Sequence, residues 1–366
     1  MQHHRNLLTN HIASLIVLMS LCSVTQAKTV NWGNHLQLTA TEYIVPLYQT
    51  LTVHSKVLYT ALDNTCSRLI SANDTQDHIK DEPLLELQDT MRTLYLSWAK
   101  VQHINFGPMS FLKRKERFQY WPDKHHVGSK QLRRFLNNNM PLPTLEELQQ
   151  KSVAIQGLPA LETLLFSKKN RLTKRQCQLA IVISKNLYNI ASNNEQLWTK
   201  PPAYFANEFI IEKYKVGVFS SQQEIANILF NSLTTQLSII EHIKIPDLTR
   251  TKKINHRKLE AWKSELSLEL IEKNIKSLKQ HYLLAFHPII YIAHPPQAHM
   301  LKEQFANVIF AINRIKLPLS KAIKENTEKK KVIVLKQAIA TLNKQLKQIL
   351  KQNLQLTSSF NSLDGD

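Results

Sequence analysis

Residues 331–350 read KVIVLKQAIATLNKQLKQIL, and the apolar residues Val332, Leu335, Ile339, Leu342, Leu346 and Ile349 are separated by alternating steps of three and four. That spacing places them on one stripe of an α-helix, with lysines and glutamines on the wet face. A half-buried strand would alternate every second residue instead. The same rhythm runs through residues 43–69, 84–104, 172–198, 222–243, 255–285, 297–315 and 320–356, and only 6 glycines interrupt the 366 residues. The sequence therefore predicts an all-α fold. The chain is long for one helical core, and Pro201 and Pro202 separate two sets of about four helices, enough for each set to close a bundle. The expected domains are residues 28–200 and 203–366. The first carries a long ordered loop between Phe118 and Leu145, whose Trp121 and Phe135 need burial. SWAKVQHI at 97–104 and AWKSELSL at 261–268 fall on the second helix of each set, a thin hint of a diverged duplication.

The N-terminus has Arg5, no acidic residue before Ala27, and an apolar run from Ile12 to Val24. This pattern, closing on Thr25, Gln26 and Ala27, reads as a signal peptide over residues 1–27 that directs the chain to the periplasm. The run is short for a membrane span. Cys22 offers an alternative, a lipid anchor, but Leu21 stands where a small residue is expected. Removal of the leader leaves Cys66 and Cys177 as the remaining thiols. Two cysteines in an oxidising compartment usually pair, which would tie the first long helix to the one carrying Cys177. The alternative is two buried free thiols.

The formal charge is +19. Lysine and arginine outnumber the acids about threefold between Arg250 and Lys351, dispersed at helical spacing. In the periplasm this argues against nucleic acid as a partner and leaves an anionic membrane surface or acidic envelope proteins. Solvation of helix faces explains the same lysines.

Another informative stretch is AIQGLPALETLLFS at 154–167. Gly157 turns the chain, and Pro159 fits the first helical turn because its missing amide has no partner there. Glu162 then lies near a helix N-terminus that favours negative charge. On the bland reading Gly157 and Pro159 shape a turn and Glu162 steadies a helix end.

This stretch resembles the signature of the imelysin-like family of bacterial envelope proteins, Gly-x-His-x-x-Glu, with Pro159 in place of the histidine. Lipoprotein-like members reading Gly-x-Pro-Ala-x-Glu are more similar still. Other pieces resemble the family as well: Trp98 with Val101, Gln102 and the helix stop Phe106, Gly107, Pro108; Trp121, Pro122, Asp123; Leu259 to Ser264; and the ending Phe360 to Asp366. Where Lys263 stands, the family usually has arginine, so a two-point grip on a carboxylate is not expected of it. The resemblance implies one cleft lined by Trp98, Gln102, Gly107, Pro108, Gly157, Pro159, Glu162, Trp262, Lys263, Asp364 and Asp366. It also implies a role in iron uptake or homeostasis alongside iron-uptake or envelope proteins, with iron or another divalent metal as the associated ion and Glu162 as a weak candidate ligand. Trp98 and Trp262 each read equally as core anchors on apolar helix stripes.

The residues themselves supply little metal chemistry. His256 with Glu260 and His299 with Glu303 sit four apart, a spacing typical of exposed helix pairs and short of three ligands. His287 and His294 are too far apart along a helix for one ion, and His125 and His126 lie in a polar loop. There is no His-Glu-x-x-His, phosphate-cradling loop or nucleophile elbow. The expected function is a non-catalytic periplasmic binding protein of iron physiology. The alternative is a metal-dependent peptidase, the family's older label.

Overall fold

The structure, a computed structural model, describes residues 30–71, 78–137, 140–200, 205–209, 219–248 and 254–358. Apart from a two-residue antiparallel ribbon, β1 (His78–Ile79) with β2 (Leu172–Thr173), its regular elements are helical. In the first half these are α1 (His35–Leu38), continued by a π-helical segment (Thr39–Ile44), α2 (Val45–Ser71), α3 (Asp81–Val101), α4 (Arg114–Phe118), α5 (Val127–Leu136), α6 (Leu145–Gln150), α7 (Leu158–Leu165) and α8 (Lys174–Thr199). The second half supplies α9 (Gln222–Ile239), α10 (Ser267–Ala285), α11 (His287–Ala293), α12 (Pro295–Asn313), α13 (Leu319–Ala322) and α14 (Asn326–Leu354).

All six stripe residues of α14 are buried, and the helix packs against α12 and α9. Its start is capped by Glu325, whose carboxylate accepts from the amides of Thr327 and Glu328. In the first half α2 lies along α8 and α3, and Cys66 on α2 is joined to Cys177 on α8 by a disulfide. Thr173 and Gln176 form a reciprocal capping box that fixes where α8 begins.

The two sets of helices touch. α3 packs directly against α10, and Trp32–Asp366 forms one compact unit. The expected boundary at Pro201 and Pro202 lies outside the described residues, as do the leader and Cys22. Among the described residues no helix is long and apolar enough to cross a membrane.

One expected helix is shorter than its apolar rhythm. Residues 255–285 read as continuous, but α10 begins only at Ser267. Residues 259–266 instead form an irregular loop in which Ala261 and Glu265 take left-handed φ angles of 48° and 58°. Such backbone costs about 1–3 kcal/mol per residue and persists only where neighbouring contacts fix it.

Where α3, α10 and the π-helical segment meet, two histidines are buried together. The rings of His103 and His281 lie 5.2 Å apart, and Tyr43 bridges to the Ser277 carbonyl at 2.5 Å. Neither ring nitrogen of His281 has a hydrogen-bond partner, and burial holds its pKa down at about 3. His103 is likewise held well below its ordinary value, first by burial and then by His281. A folded-state pKa below the unfolded value means the unfolded chain binds more protons between the two, so this stability is complete above about pH 6.5 and is lost toward pH 3. Urea midpoints measured across that window should fall as pH falls. His281→Leu should flatten the slope by up to about one proton, and an unchanged slope would show that His281 is not buried neutral.

Candidate functional site

The site is organised by the backbone around Gly157. A Cβ there would sit 2.2 Å from the carbonyl oxygen of Phe118 and 2.6 Å from that of Arg117, so only glycine lets the start of α7 lie against the end of α4. Arg117 holds the approach by donating to the Gln156 side-chain carbonyl at 2.8 Å and to Asn186 at 3.2 Å. Gly157→Ala has no flexible neighbour to displace. We expect it to cost about 1–3 kcal/mol, the usual range for overpacking, read as a lowered urea midpoint. A neutral result would mean that α7 and α4 are not in register as described.

Pro159 lies in the first turn of α7, as its chemistry predicts. Glu162 lies one turn further on and is buried, at 4% exposure. Its carboxylate is met by the 259–266 loop of the other half, not by the first amides of its own helix. Oε1 accepts from the backbone N–H of Lys263 at 3.0 Å, the N–H of Ser264 at 2.9 Å and the Ser264 hydroxyl at 2.8 Å. The expectation of a helix-end charge is thereby corrected. Burial pushes the Glu162 carboxyl above the usual carboxylate range, and the Ser264 donors, Lys263 charge and Lys263 amide pull it only part of the way back.

Lys263 contacts Glu162 through its backbone. Its ammonium donates to the Thr163 hydroxyl at 2.7 Å and lies 5.6 Å from the Trp262 ring centre. Trp262 belongs to the loop, and is half-buried against a cavity of about 590 Å³ that Glu162, Pro159 and Lys263 also line. The core-anchor reading therefore fails for Trp262, because the helix stripe assumed for it does not exist. It holds for Trp98, which is buried and stacks on Phe118 with ring centres 4.5 Å apart.

Beneath this cavity lies a buried polar network that links the two halves. The Lys244 ammonium donates to Gln102 Oε1 and Asn274 Oδ1, each at 2.6 Å, and forms an ion pair with Glu260 Oε2 at 2.6 Å. Glu260 Oε1 accepts from Gln102 at 2.7 Å and from Gln119 at 2.8 Å. Gln119 Oε1 takes the Trp98 indole N–H at 2.6 Å and the Gln102 amide at 2.7 Å. Burial lowers the Lys244 pKa, and the Glu260 charge opposes that shift. Tyr95 joins the two levels: it lines the cavity and bonds Gln119, and burial followed by the charges of Glu162 and Glu260 holds its hydroxyl protonated.

Of the eleven residues expected in one cleft, Pro159, Glu162, Trp262 and Lys263 share the cavity wall, and Gly157 positions them. Trp98 and Gln102 lie in the network below. Gly107 and Pro108 are buried away from the cavity, with a Cβ on Gly107 only 2.7 Å from the Phe205 ring. Asp364 and Asp366 lie outside the described residues. Sequence reading missed Tyr95, Gln119, Lys244 and Asn274, since a single polar side chain in or beside a helix carries no sign that its partners will arrive from other segments. Glu260 was read as the exposed partner of His256. It is in fact 2% exposed, because the helix that would have carried both does not extend there.

The imelysin family profile matches residues 48–349, a span that contains every described residue of both levels of the site. The chain belongs to the imelysin family. Among solved structures, an imelysin-like protein from Psychrobacter arcticum 273-4 superposes with a TM-score of 0.76 at 20% identity, covering 91% of this chain and 99% of that one. A provisionally assigned iron-regulated protein A precursor from Parabacteroides distasonis ATCC 8503 superposes with a TM-score of 0.70 at 14% identity, covering 90% and 97%. At these identities the likeness establishes a shared fold. No curated protein matches the sequence. Within this imelysin fold, Glu162 of α7 is held by the 259–266 loop of the other half.

Proposed function

We propose that this imelysin-family chain is an exported, non-catalytic binding protein of the bacterial envelope that serves iron physiology, with its ligand site in the cavity beside Glu162 and Trp262. The iron assignment draws on the naming of the Parabacteroides relative, and export on the leader pattern and on that relative's designation as a precursor.

The observation that carries the reading is the use made of Glu162. A general base or a metal ligand needs lone pairs aimed at a water or an ion; Oε1 is taken up by three donors from the 259–266 loop, so any such role would fall to Oε2 alone, beside the cationic wall. The surroundings also do not fit a divalent ion. Pro159 occupies the position of the signature histidine, and the ammonium groups of Lys263 and Lys168 line the same wall. Among the described residues no three His, Cys, Asp or Glu side chains are grouped to hold a metal. Glu162 thus acts as a strut that joins α7 to the loop and fixes Trp262 and Lys263 at the cavity.

The test is incubation of the purified protein with unfolded casein and zinc or ferrous ion. The expected result is no metal-dependent cleavage. Cleavage that requires the ion and disappears in Glu162→Ala would establish the peptidase reading instead.

A further inference from the structure

The cavity beside Glu162 is one lobe of a longer groove. A second lobe of about 660 Å³ shares Thr163, Lys168, Trp262 and Lys263 with it, so these four residues form a waist between two spaces. Each lobe falls within the size range of small-molecule sites. Their walls are strongly cationic: Lys124, Lys130, Arg133, Arg257 and Lys258 surround the first, Lys324 the second, and Lys168 the waist.

Few of these charges are neutralised. Lys321 is paired with Glu265 at 3.0 Å, and the Asp123 oxygens are taken up by the Val127 and Gly128 amides at the start of α5. The other cations of the groove have no carboxylate within ion-pair distance among the described residues. Two of the cations are held by a ring: the Arg257 guanidinium carbon lies 6.0 Å and the Lys263 ammonium 5.6 Å from the Trp262 centre. Packing against an aromatic face fixes such groups before any ligand arrives. Like charges gathered in a concave wall repel one another and focus a positive field into the groove. That field favours an anion and disfavours a bare metal ion.

Resting on the binding reading above, we propose that the groove binds a small polyanion carrying at least two carboxylate or phosphate groups, one in each lobe, with Lys168 and Lys263 between them. A metal that enters this site does so inside its own anionic chelate, because the protein supplies the counter-charge and the chelator supplies the ligands.

Isothermal titration of the mature protein with citrate, pyrophosphate, ferric citrate, and zinc ion in a non-coordinating buffer tests this. Citrate or pyrophosphate should bind one per chain and weaken about tenfold or more as salt rises from roughly 20 to roughly 300 mM. Lys168→Gln combined with Arg257→Gln, both exposed positions, should weaken binding about tenfold or more. Lys302→Gln with Lys351→Gln, on the distant faces of α12 and α14, should not. Tighter binding of ferric citrate than of citrate identifies the chelate as the source, and equal or weaker binding identifies the free polyanion. Absence of polyanion binding at low salt, indifference to the Lys168 and Arg257 changes, or binding of zinc ion alone would overturn the proposal. If binding fails while casein stays intact, only the ligand class is lost. Metal-dependent cleavage of casein would remove the underlying function as well.

Discussion

Lys244→Met is expected to destabilise the protein by roughly 3–5 kcal/mol, the usual cost of removing one partner of a buried ion pair. Lys244 and Glu260 are 3% and 2% exposed, so water cannot replace the lost ammonium. The substitution strands the Glu260 carboxylate in the interior and also removes the donor to Gln102 Oε1 and Asn274 Oδ1. Burial of unpaired polar atoms adds to the cost. The measurement is the urea midpoint of Lys244→Met, of Glu260→Gln and of the double variant. In the double variant the stranded charge is gone, so a large part of the loss should return, with a coupling of at least about 1 kcal/mol. Simple additivity of the two single changes would show that the pair does not act as a unit. Glu260 lies on the loop that grips Glu162, so Lys244→Met should also loosen the Trp262 wall without touching it.

Replacing both Cys66 and Cys177 by alanine should cost about 4–5 kcal/mol in the chain-entropy treatment, because the bond closes a loop with a sequence separation of 111. That loop contains α3, the end of α4 and α7, which carry Trp98, Gln102, Gln119 and Glu162. Without the link, the unfolded chain regains the freedom of the whole stretch that carries these residues. The urea midpoint of the double alanine variant, and of the wild type with and without reductant, reads the effect. Equal midpoints would mean that packing of α2 on α8 alone fixes the two helices, and free thiols in protein prepared without reductant would refute the bond.

Both predictions concern residues of very different visibility in the sequence. The cysteines were legible because the expected leader and export would leave two thiols in an oxidising compartment. Lys244 was not, since its burial depends on Gln102, Glu260 and Asn274 arriving from three other segments. The glycine-proline turn was legible for a local reason: backbone geometry limits which residues fit it. What Glu162 does there was not, because its donors lie about a hundred residues away on the 259–266 loop. That loop was mistaken for helix since Leu259, Leu266 and Leu270 keep a helical rhythm while Ala261 and Glu265 break the backbone between them.

The sequence by itself determined the all-α architecture, the six-residue stripe of α14 and the start of α7, whereas α3 ends at Val101, well before Gly107 and Pro108, which open a 3₁₀ turn instead of stopping the helix. What it determined follows from periodicity and from the restricted backbone of glycine and proline, which act within a few residues. Tertiary structure alone decided that the two sets of helices share a polar seam, that Trp262 faces a cavity while Trp98 is core, and that lysines and arginines from separate segments converge on one groove. Burial, field and hydrogen-bond partnership are properties of groups brought together across the chain, and no local pattern encodes them.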